Sequence, residues 1–504
     1  MAEATNMKTL ADLGLTAQDG HQTGTEAQAS GQITGLSVDS RLVKPGHLFA
    51  ALPGARVHGG EFIQYALRMH AGAILTDPEG ARIAAHELAA SDAALVVVED
   101  PRMALAYAAA LWFGAQPENM VAVTGTNGKT SVASFTRQIW MLLGIEAANL
   151  GTTGVEGAYA APLGHTTPEP ITLHRVLADM AGAGITHGAM EASSHGLAQR
   201  RLDGVRLKAA GFTNFTQDHL DYHETFEEYF AAKAGLFARV LPDDGTAVIN
   251  MDDPKGRDML AVAEGRGQQV LRVGTSVDCD LRLQARRFDG TGQDLRFTWL
   301  GHMHTARLNL IGGFQAENVL LAAGLVIACG AEPAHVFETF KDLVTVRGRM
   351  EHAATRDNGA SVFVDYAHTP DALRTALRAM RPHVLGRLVV VFGAGGDRDT
   401  SKRILMGQAA AENADVVFVT DDNPRSEDPA LIRSMVMEGC PDATNVGDRA
   451  EAILRGVDAL GAGDTLLIAG KGHETGQTVG DDILPFDDVE QASVAVAALD
   501  GKIA

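Results

Sequence analysis

The stretch Met120–Phe135, MVAVTGTNGKTSVASF, decides the fold. Its first residues form an apolar run of strand length, and its last residues suit a helix. Between them stands Gly125-Thr126-Asn127-Gly128-Lys129-Thr130-Ser131. In a strand–loop–helix of this kind, glycines let backbone N–H groups close around phosphates, and the helix N-terminus favours their charge. Lys129 bridges the terminal phosphates and the Thr130 hydroxyl can ligate magnesium. Val123 occupies the place of the first glycine in the commonest spacing, so the reading rests on the Gly-Lys-Thr triplet and its setting. The bland alternative is a plain glycine turn ahead of a helix. A nucleoside triphosphate site alone does not separate hydrolases, kinases and ligases.

Outward from this loop, 504 residues exceed one core, because domains usually run to ~100–200 residues. Residues 1–35 read as weakly structured, and the rest of 1–116 reads as a small α/β domain with runs such as AGAILTD and AALVVVED. Residues 117–345 read as a central parallel-sheet domain of the P-loop ATPase type. Residues 346–504 read as a Rossmann-like C-terminal domain, with ASVFVDYAHTP, RLVVVFGAGGDRD, ADVVFVTDDNPR and DTLLIAGKGHE each ending a strand in polar or glycine-rich residues. Strands alternating with helices predict parallel βαβ units, with ligands beyond the carboxyl ends of the strands.

An apolar fraction of 46% with 21% charged residues is that of a soluble globular chain. A formal charge of −21 argues against nucleic-acid and anionic-membrane partners, so an anionic small substrate must meet a locally basic pocket. The three cysteines lack metal-ligand spacing and form no even set, which fits a reducing compartment. No basic-then-apolar leader opens the sequence, and no segment approaches the roughly 20 apolar residues of a membrane helix. The expectation is a cytoplasmic protein.

Further chemistry surrounds the loop. In AMEASSHGLAQRRL, Glu191 ends an apolar run where a carboxylate can ligate a metal, whereas Ser193 or Ser194 also suits a helix N-cap. In NFTQDHLDYHETFEEYFAAKAGLF, His219 reads either as a satisfied buried histidine or as a metal ligand. Lys233 shares a helix face with Phe226, Phe230 and Phe237. Such a lysine either snorkels past the rings to water or, desolvated, becomes a reactive amine open to carbamylation.

GTNGKTS, MEASSHGL, NFTQDHLDYH, AAKAGLF, FQAENVLLA, VRGRME, VDYAHTPDAL, FGAGGDRD, DDNPR and AGKGHE stand in the order found in the Mur ligases, and the chain resembles that family over roughly residues 35–490. The resemblance implies an ATP-dependent amide ligase of peptidoglycan synthesis, working through an acyl phosphate. It implies that Gly125 to Ser131 hold ATP, and that Asn318, Arg349 and Asp365 contact its adenine and ribose side. Lys129, Glu191, His219 and Lys233 become the catalytic residues, with Thr130, Glu191, His219 and carbamylated Lys233 around magnesium. Ser40, Thr166, Thr167, Ser193, Gln199 and Arg201 would grip UDP-N-acetylmuramoyl-L-alanyl-D-glutamate. Closure of the C-terminal domain would complete the site of an enzyme expected to be a monomer.

VVFVTDDNPRSEDP, Val416–Pro429, is the turn that selects the incoming amino acid in that family. Asp422-Asn423-Pro424-Arg425 is the form associated with meso-diaminopimelate. Arg425 offers a planar fork to a carboxylate, Pro424 stiffens the turn, and the Asp422 and Asn423 oxygens can accept from an ammonium. By the same resemblance Arg398, Gly470 and Glu474 complete the pocket. A lysine-adding ligase would set Arg425 against an uncompensated chain. A folylpolyglutamate-synthase-like ligase fits HGLAQRR and DNPR poorly, and a non-catalytic relative would have lost Lys129, Glu191 or Lys233.

Overall fold

The computed structural model describes residues 7–18, 32–54, 56–216 and 225–502. Its sheets follow the expected α/β pattern in three domains. The first has strands β1 (Gly35–Ser37), β2 (His47–Ala51), β3 (Ala73–Thr76) and β4 (Ala94–Val97), all parallel and in that order. Strand alternation feeds two cores: Leu48, Ala50 and Leu75 face one side, and Phe49, Ala51 and Ile74 the other. Leu10, Leu13 and Leu15 join the first of these cores, and Lys8 bridges to Ile33. Residues around position 10 are therefore packed, contrary to the weakly structured reading. The three leucines lie in the 3-10 turn Ala11–Leu13 and its flanks, a feature too short to register as a periodic pattern.

The chain divides into two units. One comprises Met1–Lys129, Gly144–Ile249 and Asp253–Leu271, and the other Thr130–Leu143, Asn250–Asp252 and Arg272–Ala504. In the first unit, β5 (Asn119–Thr124), β6 (Ala147–Gly151), β7 (Gly154–Gly157), β8 (His187–Glu191), β9 (Leu207–Phe212) and β10 (Thr246–Asn250) lie in the order β10-β9-β5-β8-β6-β7. All are parallel except β7. Val121, Ala122 and Val123 are wholly buried, as befits a strand flanked on both edges by β8 and β9.

The second unit departs from the βαβ expectation in one place. Strand β11 (Gln269–Gly274) is followed by β12 (Leu281–Asp289), β13 (Gly292–Trp299) and β14 (His302–Leu308), and the last three form an antiparallel meander. Leu300 and Gly301 both take positive φ, +46° and +85°, which builds the tight turn between β13 and β14. Alternating residues such as Leu295 and Phe297 buried beside exposed Asp294 and Arg296 carry the period-2 pattern that a one-sided antiparallel sheet needs.

The last domain lies wholly in this unit. Its strands are β15 (Glu351–Thr355), β16 (Ser361–Asp365), β17 (Leu388–Phe392), β18 (Val416–Val419), β19 (Thr444–Asn445) and β20 (Thr465–Ala469), ordered β15-β16-β20-β17-β18-β19. Leu388, Val390 and Phe392 pack towards one core, whereas Val389 and Val391 pack towards the other, so helices cover both faces. The carboxyl ends of β16, β20, β17 and β18 stand side by side. Asp365, Gly470–Glu474, Gly393–Arg398 and Asp421–Arg425 follow directly from them.

Candidate active site

β5 delivers the phosphate loop. Gly125 has φ +149°, and a Cβ there would stand 1.8 Å from Thr213 Oγ1, so only glycine fits. The residues after β9 brace the loop. The Thr126 N–H donates to Asn214 O at 2.8 Å, the Asn127 N–H to Asn214 Oδ1 at 2.9 Å, and the Thr213 hydroxyl to Asn127 O at 2.6 Å. The Lys129 ammonium folds back on the loop, donating to Gly125 O and Thr126 O at 3.0 and 2.8 Å. Thr130 and Ser131 are buried in the first turn of the helix Lys129–Leu142.

Lys233 reaches the same loop. It is 1% exposed, its ammonium donates to Gly125 O at 2.7 Å, and it lies 4.4 Å from the centroid of the Tyr229 ring. The snorkelling alternative therefore fails, since the ammonium turns inward to the loop and not outward to water. Tyr229, Phe226 and Phe230 pack around Phe215, which docks this helix on the segment behind β9. His219 lies outside the described residues.

Glu191, 2% exposed, closes β8. Its Oε1 accepts from the Thr152 N–H at 2.8 Å, and a Cβ on Gly151 would sit 2.0 Å from that oxygen. The Thr167 hydroxyl donates to Glu191 O and accepts from the Ser193 N–H, at 2.9 and 3.1 Å. Thr166 pairs with Thr152 at 3.0 Å between hydroxyls. Arg201 donates to Thr167 O at 2.6 Å and to Gln199 Oε1 at 2.8 Å. Thr166, Thr167, Ser193, Gln199 and Arg201 thus cluster behind Glu191. The Ser193 hydroxyl also caps the helix Ser194–Ala198 by accepting from the Gly196 N–H at 3.0 Å. Ser40 opens the turn Ser40–Leu42 of the first domain. Among the described residues no group of three His, Cys, Asp or Glu forms a metal cluster. A threonine hydroxyl and a carboxylate are nevertheless hard oxygen donors that suit magnesium.

Within the second unit, Asp365 accepts from the Met350 and Ala367 N–H groups at 2.8 and 2.9 Å. Burial pushes its pKa up, and Arg349 counters that shift. The Arg349 guanidinium lies 4.7 Å from the Tyr366 ring centroid. Asn318, on the helix Phe314–Ala328, is buried and donates to Gln315 Oε1 at 3.3 Å.

The turn after β18 is knitted to its neighbours. Arg425 takes φ +53°, its N–H donates to Thr478 O at 3.1 Å, and its carbonyl accepts from the Gly480 N–H at 2.8 Å. Arg425 Nη1 donates to Gly396 O at 2.8 Å, and a Cβ on Gly396 would meet Pro424 O at 1.9 Å. Nε and Nη2 of Arg425 have no acceptor among the described residues, leaving one edge of the fork open. Asp422 accepts from the adjacent Asn423 N–H at 2.7 Å. Asn423 is spent internally: Oδ1 accepts from the Thr478 N–H and the Lys471 ammonium, and Nδ2 donates to Glu474. Arg398 is exposed, and Gly470 stands against the Asp422 carboxylate. Asp422 to Arg425, Gly470 and Glu474 lie together, and the Arg398 stem and the Arg425 guanidinium both border Gly395, whose Cβ would stand 4.0 and 2.9 Å from them.

Residues 32–112 match the catalytic domain of the Mur ligase family, 123–326 the Mur ligase middle domain, and 348–472 the glutamate ligase domain of the Mur ligases. The chain belongs to the Mur ligase family. It is 48% identical over 94% of its length to the UDP-N-acetylmuramoyl-L-alanyl-D-glutamate–2,6-diaminopimelate ligase of Bradyrhizobium diazoefficiens, covering 96% of that protein. The enzyme of that name from Caulobacter vibrioides is likewise 48% identical, over 93% of this chain and 96% of its own. A solved structure of a ligase so named superposes with a TM-score of 0.70 at 32% identity, covering 96% of this chain and 99% of the other.

Thr152, Thr213, Asn214, Lys471 and the hairpin strand carrying Thr478 bond to the candidate residues above, and none of them was singled out from the sequence. For Thr213-Asn214 a signal existed, a polar pair directly after an apolar strand. Thr478 acts through its backbone, which no side-chain pattern announces.

Proposed function

We propose that this chain is an ATP-dependent amide ligase that adds meso-2,6-diaminopimelate to UDP-N-acetylmuramoyl-L-alanyl-D-glutamate in peptidoglycan precursor synthesis. The observation that carries the reading is the 48% identity, along nearly the whole chain, to ligases of that name. The turn at Asp422–Arg425 supports it, because one guanidinium edge is open to a carboxylate that diaminopimelate has and lysine lacks.

In this reading residues 1–116 hold the UDP moiety, 117–345 ATP, and 346–504 the amino acid, in a monomeric cytoplasmic enzyme. The γ-phosphoryl group of ATP passes to the terminal carboxylate of the dipeptide. The loop N–H groups and Lys129 hold the charge on the phosphates, and their bracing by Thr213 and Asn214 keeps them in place before ATP arrives. The cluster of Thr166, Thr167, Ser193, Gln199 and Arg201 positions the nucleotide-linked dipeptide beside Glu191. The free amine of diaminopimelate then attacks the acyl carbon, phosphate leaves, and an amide forms. Arg425 and Glu474 orient that amine by gripping the far carboxylate and the far ammonium.

Magnesium, held by Thr130, Glu191, His219 and a carbamate on Lys233, would neutralise charge on the transferring phosphoryl group. The position of Lys233, buried with its amine 2.7 Å from Gly125 O of the phosphate loop, supports a role for its side chain at the phosphates.

The test is ATP-dependent phosphate release with the UDP-linked dipeptide, comparing meso-diaminopimelate, L-lysine and no acceptor. Release with diaminopimelate alone is expected. Preference for lysine would overturn the specificity, and release with neither would overturn the ligase assignment.

A further inference from the structure

One oxygen of Glu474 carries two donors. Oε2 accepts from the Asn423 amide at 2.9 Å and from the Lys471 ammonium at 3.3 Å, whereas Oε1 has no partner among the described residues. The Glu474 side chain is 34% exposed and that of Lys471 is 0% exposed. Asn423 Oδ1, at 3.1 Å, is the other acceptor of the Lys471 ammonium.

Placing an ammonium out of water is costly unless its charge is paired, so Lys471 needs Glu474. The backbone is shaped to put it there. Gly470 and Gly472, at φ +118° and +54°, flank it, and a Cβ on them would stand 2.5 Å from Asp422 Oδ2 and 2.6 Å from Tyr366 Cβ. Only glycine serves at both places, and the coil they permit turns Lys471 inward.

We propose that Lys471 is a positioning residue for amino-acid selection: its ammonium pins Glu474 Oε2 so that Oε1 meets the far ammonium of the incoming diamino acid. The proposal rests on the function proposed above. Lys471 itself contacts no substrate. A carboxylate fixed through one oxygen has already lost its rotational freedom, so the substrate's ammonium is bound without that ordering cost. Neutral pairing with Lys471 also lets the carboxylate stand half-buried while the pocket is empty.

The experiment compares wild type, Lys471→Met, Glu474→Gln and the double variant in steady-state phosphate release. Lys471→Gln, a shorter neutral donor, replaces Lys471→Met should the latter not fold by circular dichroism. The KM for diaminopimelate should rise about tenfold or more in each single variant with the KM for ATP within about twofold, and the double variant should be no worse than Glu474→Gln alone. Parallel rises in both KM values, an unchanged KM for diaminopimelate, or losses that multiply in the double variant would overturn the proposal. Wild type that does not use diaminopimelate at all would instead overturn the function on which it rests.

Discussion

Replacing Arg425 with alanine removes the open guanidinium edge. In the proposed function that edge, Nε with Nη2, takes the far carboxylate of diaminopimelate as a bidentate pair, while Nη1 is already engaged by Gly396 O. A hydrogen bond to a charged group is worth ~1.5–3 kcal/mol net, so losing the pair costs about 3 kcal/mol or more. At 1.4 kcal/mol per decade, the KM for diaminopimelate should rise about a hundredfold. The structural cost is small by comparison. The Gly396 bond is worth ~1 kcal/mol, and alanine bears the same left-handed backbone penalty at φ +53° as arginine does. The assay is phosphate release at saturating ATP and dipeptide, titrating diaminopimelate and, in parallel, L-lysine. A KM for diaminopimelate changed less than about threefold, or a loss of equal size with lysine, would refute the reasoning.

Lys129→Ala should abolish turnover, and Lys233→Ala should do so with partial rescue by short carboxylates that occupy the place of the proposed carbamate; absence of rescue in phosphate-release assays would count against the carbamate but not against the lysine's importance. Gly125→Ala forces a Cβ to within 1.8 Å of Thr213 Oγ1, so ATP affinity by isothermal titration should fall at least tenfold, and pairing it with Thr213→Ser should not restore it because the hydroxyl remains. Burial, with a smaller contribution from Arg206, lowers the His174 pKa to about 4. Below the unfolded value near 6.5 the unfolded chain binds a proton that the folded chain refuses, so stability is fully present above that pH and is lost as pH falls towards about 4, by ~3 kcal/mol. His174→Gln should flatten that loss in urea midpoints measured from pH 7 to 4.5.

Much of this was legible in the sequence because the strands that carry chemistry are buried on both faces and end in unmistakable polar clusters. TGTNGKTS, DDNPR and AGKGHE each fall at the carboxyl end of such a strand, where the chain leaves the sheet. The meander of β12, β13 and β14 was not legible. Its alternation is interrupted by adjacent arginines at 286 and 287 and by a register shift between Leu283 and Ala285. Lys233 was legible as an anomaly, but its direction was not, since helical periodicity places it on an aromatic face and says nothing of Gly125 O beyond it. Lys471 was not singled out, because the two glycines that turn it inward signal flexibility in a sequence and constraint only in a fold.

The backbone bridge between Arg425 and Val479 ties the turn proposed to select the amino acid to the hairpin that follows Glu474. Anyone wishing to retool this enzyme for another amino acid faces a cassette and not a residue. Exchanging Asp422–Arg425 alone would leave the new turn docked on a hairpin, a glycine pair at 395 and 396, and a buried lysine shaped for the old one. Swapping the Gly393–Arg398, Asp421–Arg425 and Gly470–Gly480 segments as a set would carry the acceptor preference with them, whereas piecemeal exchange would pass through intermediates that accept neither substrate well.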